Sequence, residues 1–257
     1  MGPLAGRTIV VTRPRAQAGA LCDGITAAGG VAVPFPLLEI VALPDDPAFE
    51  QALAAIDDAR LAIFISPNAV SFGVTRVLAS RPWPARLVVA AVGQGTARAL
   101  QQKGFGRVVV PGESFDSEAL LACPELAATA VDGQIVILFK GEGGRDLLAS
   151  VLAGRGAKVL PAPCYRRLPP AGDITGLWLL HTCGNLSAMV LSSSEAVRHL
   201  ATLLAPGHRS LLENVVMFCP HPRIAESATA IGCQKVCLTP PGDAGMLAGL
   251  SEYNWLS

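Results

Sequence analysis

With 257 residues, 51% of them hydrophobic and 16% charged, the chain has ample apolar material for one large domain or two ordinary ones, which excludes a disordered protein. Twenty basic residues balance twenty acidic ones, so no global field draws in nucleic acid or a membrane surface, and an anionic ligand must be held by local groups. No apolar stretch approaches the about 18 residues of a membrane span, and the Ile-Val-Val run between Arg7 and Arg13 is too short for a secretion signal. Seven scattered cysteines without a Cys-x-x-Cys pair fit a reducing compartment, so a soluble cytoplasmic protein is expected.

In chain order, Thr8–Thr12 is a β-branched run that predicts a buried parallel strand, followed by a helix over Ala16–Ala28 closed by Gly29-Gly30. Val31–Phe35 completes a βαβ unit. Pro34, Pro36 and Pro44 bracket Leu37–Leu43 as an extended crossing. Asp45–Asp57 predicts a helix, Leu61–Ile65 a strand, and Pro67 opens a helix reaching Leu78. Leu87–Val92 predicts a strand, Gly95–Gln102 a helix, Val108–Val110 a strand, and Asp116 onward a short helical turn. Gln134–Phe139 and Lys158–Leu160 read as strands around a helix over Gly144–Ala153. Pro161–Pro170 forms a second extended crossing. Leu177–Leu180 and Ala188–Leu191 are apolar segments around a polar patch. A helix over Ser194–Leu204, a strand over Val215–Cys219, a helix over Pro222–Ile231 and a strand over Lys235–Leu238 follow. Such alternation predicts an α/β fold of parallel sheets flanked by helices on both faces.

The chain also repeats itself. Phe64-Ile-Ser-Pro-Asn-Ala-Val70 has a counterpart in Leu191-Ser-Ser-Ser-Glu-Ala-Val197, an offset of 127. Arg13 and Lys140, Gly29 and Gly156, Pro34 and Pro161, and Pro36 and Pro163 share that offset. Ala91–Gly95 aligns at the same offset with Phe218–Pro222, and Pro111 matches Pro240 at 129. Two similar domains follow from this duplication.

Ligands of open α/β sheets bind outside the carboxyl ends of the strands. The turns there are Thr12-Arg13, Ser66-Pro-Asn68, Gly93-Gln-Gly-Thr96, Lys140–Gly144, Ser192–Ser194 and Pro220–Arg223. Each is small or hydroxylated at a helix start, where free N–H groups and the helix dipole suit carboxylate or phosphate, although such residues also simply cap helices. Gly141-Glu-Gly-Gly144 lacks the Walker spacing, and Gly93-Gln-Gly95 lacks the third glycine of a dinucleotide site. His181 with Cys183, and His221 with Cys219, do not reach a metal-ligand spacing, so a metal site is not expected. Tyr165, one of two tyrosines, sits in Cys164-Tyr-Arg-Arg167 on the return crossing, placed to be a proton donor in a cleft between domains or simply a half-buried linker aromatic.

Taken together, Val11-Thr-Arg-Pro14, Phe64–Val70, Ala91-Val-Gly-Gln-Gly-Thr-Ala-Arg-Ala-Leu100, Asp116–Leu120, Gly141–Arg145, Gly156–Val159, Cys164–Arg167, Ser192–Ser194 and Pro222–Glu226 resemble the uroporphyrinogen-III synthase family over nearly the whole chain. The resemblance implies two α/β domains, residues 1–36 plus 168–257 and residues 40–163, joined by a two-stranded extended connector at 36–43 and 161–170. It implies a cyclising hydro-lyase that turns linear hydroxymethylbilane into uroporphyrinogen III with inversion of ring D, without metal or organic cofactor. Tyr165 is then the catalytic residue. Arg13, Ser66, Asn68, Gly93, Thr96, Lys140, Ser192, Ser193, His221 and Arg223 bind substrate. A monomer that makes at most transient contact with hydroxymethylbilane synthase, and none with nucleic acid or membrane, is expected. Lys140 stands where the family usually has arginine, and Ile65 where it often has threonine. The alternative is a non-catalytic two-domain module binding a small polyanion.

Overall fold

The computed structural model describes residues 2–44, 46–112, 116–144, 146–204 and 206–255. Asp45 of the expected second helix and Arg145 of the Gly-Glu-Gly-Gly-Arg motif lie outside the described residues. The chain divides into two compact units, Met1–Glu39 with Leu168–Ser257, and Ile40–Arg167.

In the first unit β1 (Thr8–Val11), β2 (Val31–Pro34), β8 (Ala188–Val190), β9 (Val216–Cys219) and β10 (Lys235–Leu238) form a parallel sheet in the order β10-β9-β8-β1-β2. Its central strands are apolar on both faces because helices cover both. Ile9 and Val11 point to the side of Leu21, Ile25, Met246 and Leu250, while Val10 packs with Val197 and Leu200 on the other. This alternation follows from the two-residue period of a strand.

The second unit holds β3 (Glu39–Ala42), β4 (Ala59–Phe64), β5 (Val88–Ala91), β6 (Ile135–Gly141) and β7 (Lys158–Leu168), in the order β3-β7-β6-β4-β5. Strands β7, β6, β4 and β5 are mutually parallel. Ala62, Phe64, Ile137 and Phe139 face one core, and Leu61, Ile63, Val136 and Leu138 the other. Phe64 and Phe139 stack with ring centroids 4.5 Å apart, the edge of Phe49 meets Phe139 at 6.1 Å, and each such fully buried ring contributes about 1.5–3 kcal/mol of burial free energy.

Both sheets are α/β layers of the kind the strand–helix alternation predicts, and the duplication is visible in their registers. Ile9 pairs with Ala188 and Val136 with Leu61, while Thr8 pairs with Val31 and Ile135 with Lys158; each member is shifted by 127. The copies are exchanged between units: β1 and β2 of the first copy match β6 and β7 of the second, and β4 and β5 match β8 and β9. Gly29 and Gly156 close equivalent helices with φ of 86° and 87°, a left-handed turn that favours glycine.

Several elements differ from the sequence reading. The alignment of Ala91–Gly95 with Phe218–Pro222 is one residue out, because Leu61 pairs with Val88 and Ala188 with Val216, an offset of 128 for the second member. Gly93 therefore corresponds to His221, not to Pro220. Val108–Val110 is a single bridge, Ala90 to Val109, in the position that β10 holds in the other unit. The return crossing is extended, as expected, and continues the strand that begins at Lys158. Lys158–Leu168 is one strand, bonded to β6 as far as Tyr165, since prolines 161 and 163 still permit the extended backbone of a strand. Helices over Thr175–Thr182 and Gly242–Glu252 have little amphipathic periodicity and were not separately expected.

Candidate active site

In an open sheet of this order, the crevice opens where the winding reverses, between β1 and β8 in the first unit and between β6 and β4 in the second. The two units supply two sets of residues at the carboxyl ends of their strands.

In the second unit, β4 leads into Ser66, whose extended backbone (φ −160°) places its hydroxyl over the next helical turn. Ser66 Oγ accepts the Ala69 amide at 3.1 Å, and Pro67 occupies the first helical position, where its missing N–H is no loss. The same Oγ lies 3.0 Å from the Tyr165 hydroxyl. Tyr165 is buried, 1% exposed, in the unit's own core rather than on a solvent-washed linker. Three features fix its ring. The β6–β7 register shifts where Gly141 faces Tyr165, and the Glu142 amide donates to the Tyr165 carbonyl at 2.8 Å. A Cβ on Gly141 would stand 2.7 Å from Tyr165 Cζ, so only glycine leaves room for the ring. Phe72 stacks on the other side at 6.0 Å.

Phe72 lies in a π-helical turn, Val70–Val74, inserted between Pro67–Ala69 and Thr75–Ser80 in the helix expected over 67–78. Such widened turns are frequent at functional sites. Cys164, next to Tyr165, contacts the Lys140 and Ala69 carbonyls with its sulfur, and burial pushes its thiol up to about 12, so it is neutral and inert at physiological pH.

Around this pair, Gly93 begins the helix Gln94–Gln102 with no side-chain cap, leaving its first amides for an outside acceptor. Thr96, on the first turn, is buried, and Asn68 is half-buried beside Ser66. Lys140 Nζ sits 3.2 Å from Asp146 Oδ1, its own side chain 12% exposed against 75% for the aspartate. A surface pair of this kind is weak and readily exchanged for another carboxylate.

In the first unit, Ser193 repeats Ser66: its Oγ accepts the Ala196 amide at 3.1 Å, with Ser192 just before it. Arg13 pairs with Asp243 at the end of β1. His221 caps the helix Pro222–Ala230, its Nδ1 accepting the Arg223 amide at 3.1 Å, and both residues are exposed. Thr12, fully buried, donates to the Val190 carbonyl at 2.6 Å and ties β1 to β8. The structure thus gathers Ser66, Asn68, Gly93, Thr96, Lys140 and Tyr165 in one unit, and Arg13, Ser192, Ser193, His221 and Arg223 in the other. Among the described residues, no three His, Cys, Asp or Glu side chains are grouped as a metal site.

Sequence reasoning missed Phe72, Gly141 as a packing partner of Tyr165, Asp243, and Ser227, which donates to Ser194 Oγ at 3.0 Å. Only Gly141 carried a signal, as a glycine at the end of a strand.

A family model described as uroporphyrinogen-III synthase HemD matches residues 20–248. The chain belongs to the uroporphyrinogen-III synthase family. It is 31% identical to the uroporphyrinogen-III synthase of Salmonella typhimurium over 239 residues, covering 92% of this chain and 96% of that protein. It is 29% identical to that of Escherichia coli over 241 residues, with the same coverage. Among solved structures, a mutant uroporphyrinogen III synthase from Thermus thermophilus matches with a TM-score of 0.58 at 19% identity, over 95% of this chain and 96% of that one. A uroporphyrinogen-III synthetase from Helicobacter pylori gives 0.56 at 15%, over 94% and 97%. These two likenesses concern the fold. The span matched to the synthase family includes Ser66, Gly141, Tyr165 and Ser193, and begins after Arg13.

Proposed function

We propose that this chain cyclises linear hydroxymethylbilane to uroporphyrinogen III, with loss of water and inversion of ring D, and that the Tyr165–Ser66 pair handles the proton of the leaving hydroxyl. The 3.0 Å contact between the two hydroxyls carries this reading. Ser66 Oγ already accepts the Ala69 amide. If Tyr165 donates to Ser66, the serine proton is free to be given outward; half-buried Ser66, not buried Tyr165, is the outer member of the relay.

Loss of water from the hydroxymethyl group leaves an electron-poor azafulvene, which the substituted carbon of ring D attacks. Directing that attack to the substituted carbon is a matter of holding the chain of rings in one fold. The uncapped amides after Gly93, and Lys140 once drawn from Asp146, suit the acetate and propionate arms. Arg13 and the helix start at Ser193 offer further donors in the first unit, and Ser192, His221 and Arg223 complete the binding set. On this reading the enzyme works as a cytoplasmic monomer without a cofactor and takes its unstable substrate from hydroxymethylbilane synthase by transient contact. Its connector comprises residues 36–43 and 161–170, between domains of 1–36 with 168–257 and of 40–163.

The test is an isomer assay. Freshly generated hydroxymethylbilane is supplied, the reaction is stopped with oxidant, and uroporphyrins I and III are separated by chromatography. Product dominated by isomer III is expected. Isomer I alone, at the rate of spontaneous closure, would overturn the reading in favour of a binding module.

A further inference from the structure

At the opposite end of the second unit's sheet, by the amino ends of β4 and β5, lies a cavity of about 500 Å3. Trp83 and Phe105 form an edge-to-face pair in its wall at 4.9 Å, and Arg60, Arg86 and Arg107 stand around it with Glu125. Among the described residues only Arg107 of the three has a carboxylate near, Glu125 at 3.9 Å, with the arginine side chain 92% exposed. Arg60 and Arg86 are exposed and make no ion pair among the described residues. Three guanidinium groups against one carboxylate make this a local positive site in a chain whose net charge is zero. Trp83 also holds a buried indole N–H with no acceptor, an uncommon state for a buried donor.

The internal repeat provides a control. The register offsets of 127 for β4 and 128 for β5 carry this cavity onto the one lined by Arg209, Leu212, Glu213, Ile231, Gly232 and Gln234 in the first unit, where one arginine stands against one glutamate. There the volume is only about 180 Å3. Arg60 corresponds to Ser187, Arg86 to Asn214, Trp83 to Leu211, and Gly106 to the larger Gln234; Arg107 corresponds to another cation, Lys235, and Glu213 adds a negative charge in place of Ala85. The same backbone frame therefore does not require an open cationic cavity; the side chains of one copy create it.

We propose that this cavity is a second ligand site, for a flat aromatic ring system carrying two negative charges, as two carboxylates or as one phosphate. Its size is within the range of small-molecule sites, the Trp83–Phe105 wall offers apolar contact to a ring, and arginine forks match carboxylate and phosphate oxygens. The cavity is built from the second unit alone and is separate from the carboxyl ends where Ser66 and Tyr165 lie, so the proposal does not rest on the reading of that site.

The test is titration calorimetry of the full chain with phthalate, with adenosine monophosphate and with inorganic phosphate, repeated on the R60S/R86N variant, which installs the residues of the other copy. Saturable one-to-one binding of phthalate or the nucleotide is expected, with at least about tenfold weaker binding in the variant. Preference for phthalate identifies a carboxylate ligand, and preference for the nucleotide a phosphate one. Quenching of Trp83 fluorescence in a W178F/W255F chain locates the event, and calorimetry of the unsubstituted chain stands if those changes impair folding. The proposal is overturned if neither ring compound saturates by about 1 mM, if the variant binds unchanged, or if inorganic phosphate binds as tightly as both.

Discussion

The two units share a frame and divide the work. Their central strands pair in the same register, and Ser66 and Ser193 cap equivalent helices through equal 3.1 Å bonds. Beyond that point they part. The helix after Ser193 is regular, whereas the one after Ser66 widens into a π turn that brings Phe72 over Tyr165. The residue equivalent to Tyr165 at an offset of 127 is Leu38, an apolar buried side chain with no proton to give. The helix start after Gly93 is uncapped, while its equivalent is capped by His221. Duplication supplied two sets of serine-capped helix starts, and among the described residues the Ser66–Tyr165 hydroxyl pair, one residue from each copy, is found in the second unit.

Tyr165→Phe should test this division with the largest effect. Removing the inner hydroxyl of the relay is expected to lower the rate of isomer III formation on the order of 100-fold, with the ring still filling its place. Circular dichroism should stay that of the parent. Ser66→Ala should cost less, since the Tyr165 hydroxyl remains and water can replace the serine. Full activity of Tyr165→Phe would remove Tyr165 from the chemistry and leave the units functionally alike.

Gly141→Ala asks whether the ring must be held. The added methyl would approach Tyr165 Cζ to 2.7 Å, which real structures do not tolerate, so the ring or strand β7 must shift. A loss of about 1–3 kcal/mol in stability is expected from such overpacking, with lowered turnover, read by urea unfolding and the isomer assay. Unchanged values for both would show that Tyr165 is not fixed by this contact.

Alkaline pH separates the units by their thiols. Burial pushes Cys164 in the second unit up to about 12, and Cys219 and Cys233 in the first to about 12 and about 11, from an ordinary 9.0. Between pH 9 and those values the unfolded chain has lost protons that the folded chain keeps. The stabilisation is therefore complete below pH 9 and is lost as pH rises toward 12. The urea midpoint followed by Trp178 and Trp255, in the unit with two such thiols, should fall more steeply above pH 9 than that followed by Trp83. Equal slopes would mean that the thiols do not distinguish the units. At pH 8, exposed Cys183 should react with a thiol reagent long before Cys164, Cys219 and Cys233.

The strands, the α/β class and the repeat were legible because buried parallel strands are continuous β-branched or aliphatic runs between glycine and proline. Ser66, Gly93 and Ser193 were legible as residues that follow such runs. Tyr165 stood out only through the scarcity of tyrosine, and prolines 161 and 163 hid that the extended crossing continues the strand begun at Lys158. That Tyr165 touches Ser66, Gly141 and Phe72 depends on a register shift between β6 and β7 and on a π turn, neither of which has a periodic pattern in one sequence. The one-residue slip between offsets 127 and 128 likewise hid the match of Gly93 with His221, since an insertion in a loop alters no hydrophobic pattern.

Ser193→Ala is expected to have the smallest effect and gives the most direct control on Ser66. Both serines accept one amide hydrogen bond at a helix start, so both alanine variants should lose a similar amount of stability, about 1 kcal/mol. Their activities should diverge. Among the described residues Ser193 Oγ meets no second hydroxyl as Ser66 meets Tyr165 at 3.0 Å, so its loss removes a cap and no relay. Turnover of Ser193→Ala should fall less than that of Ser66→Ala, since the backbone amides of its helix start remain to hold substrate. A drop in Ser193→Ala as deep as in Ser66→Ala, at equal stability, would mean that the serine acts through its cap and its amides in both units. The proton would then have to come from Tyr165 without Ser66 as the outer donor.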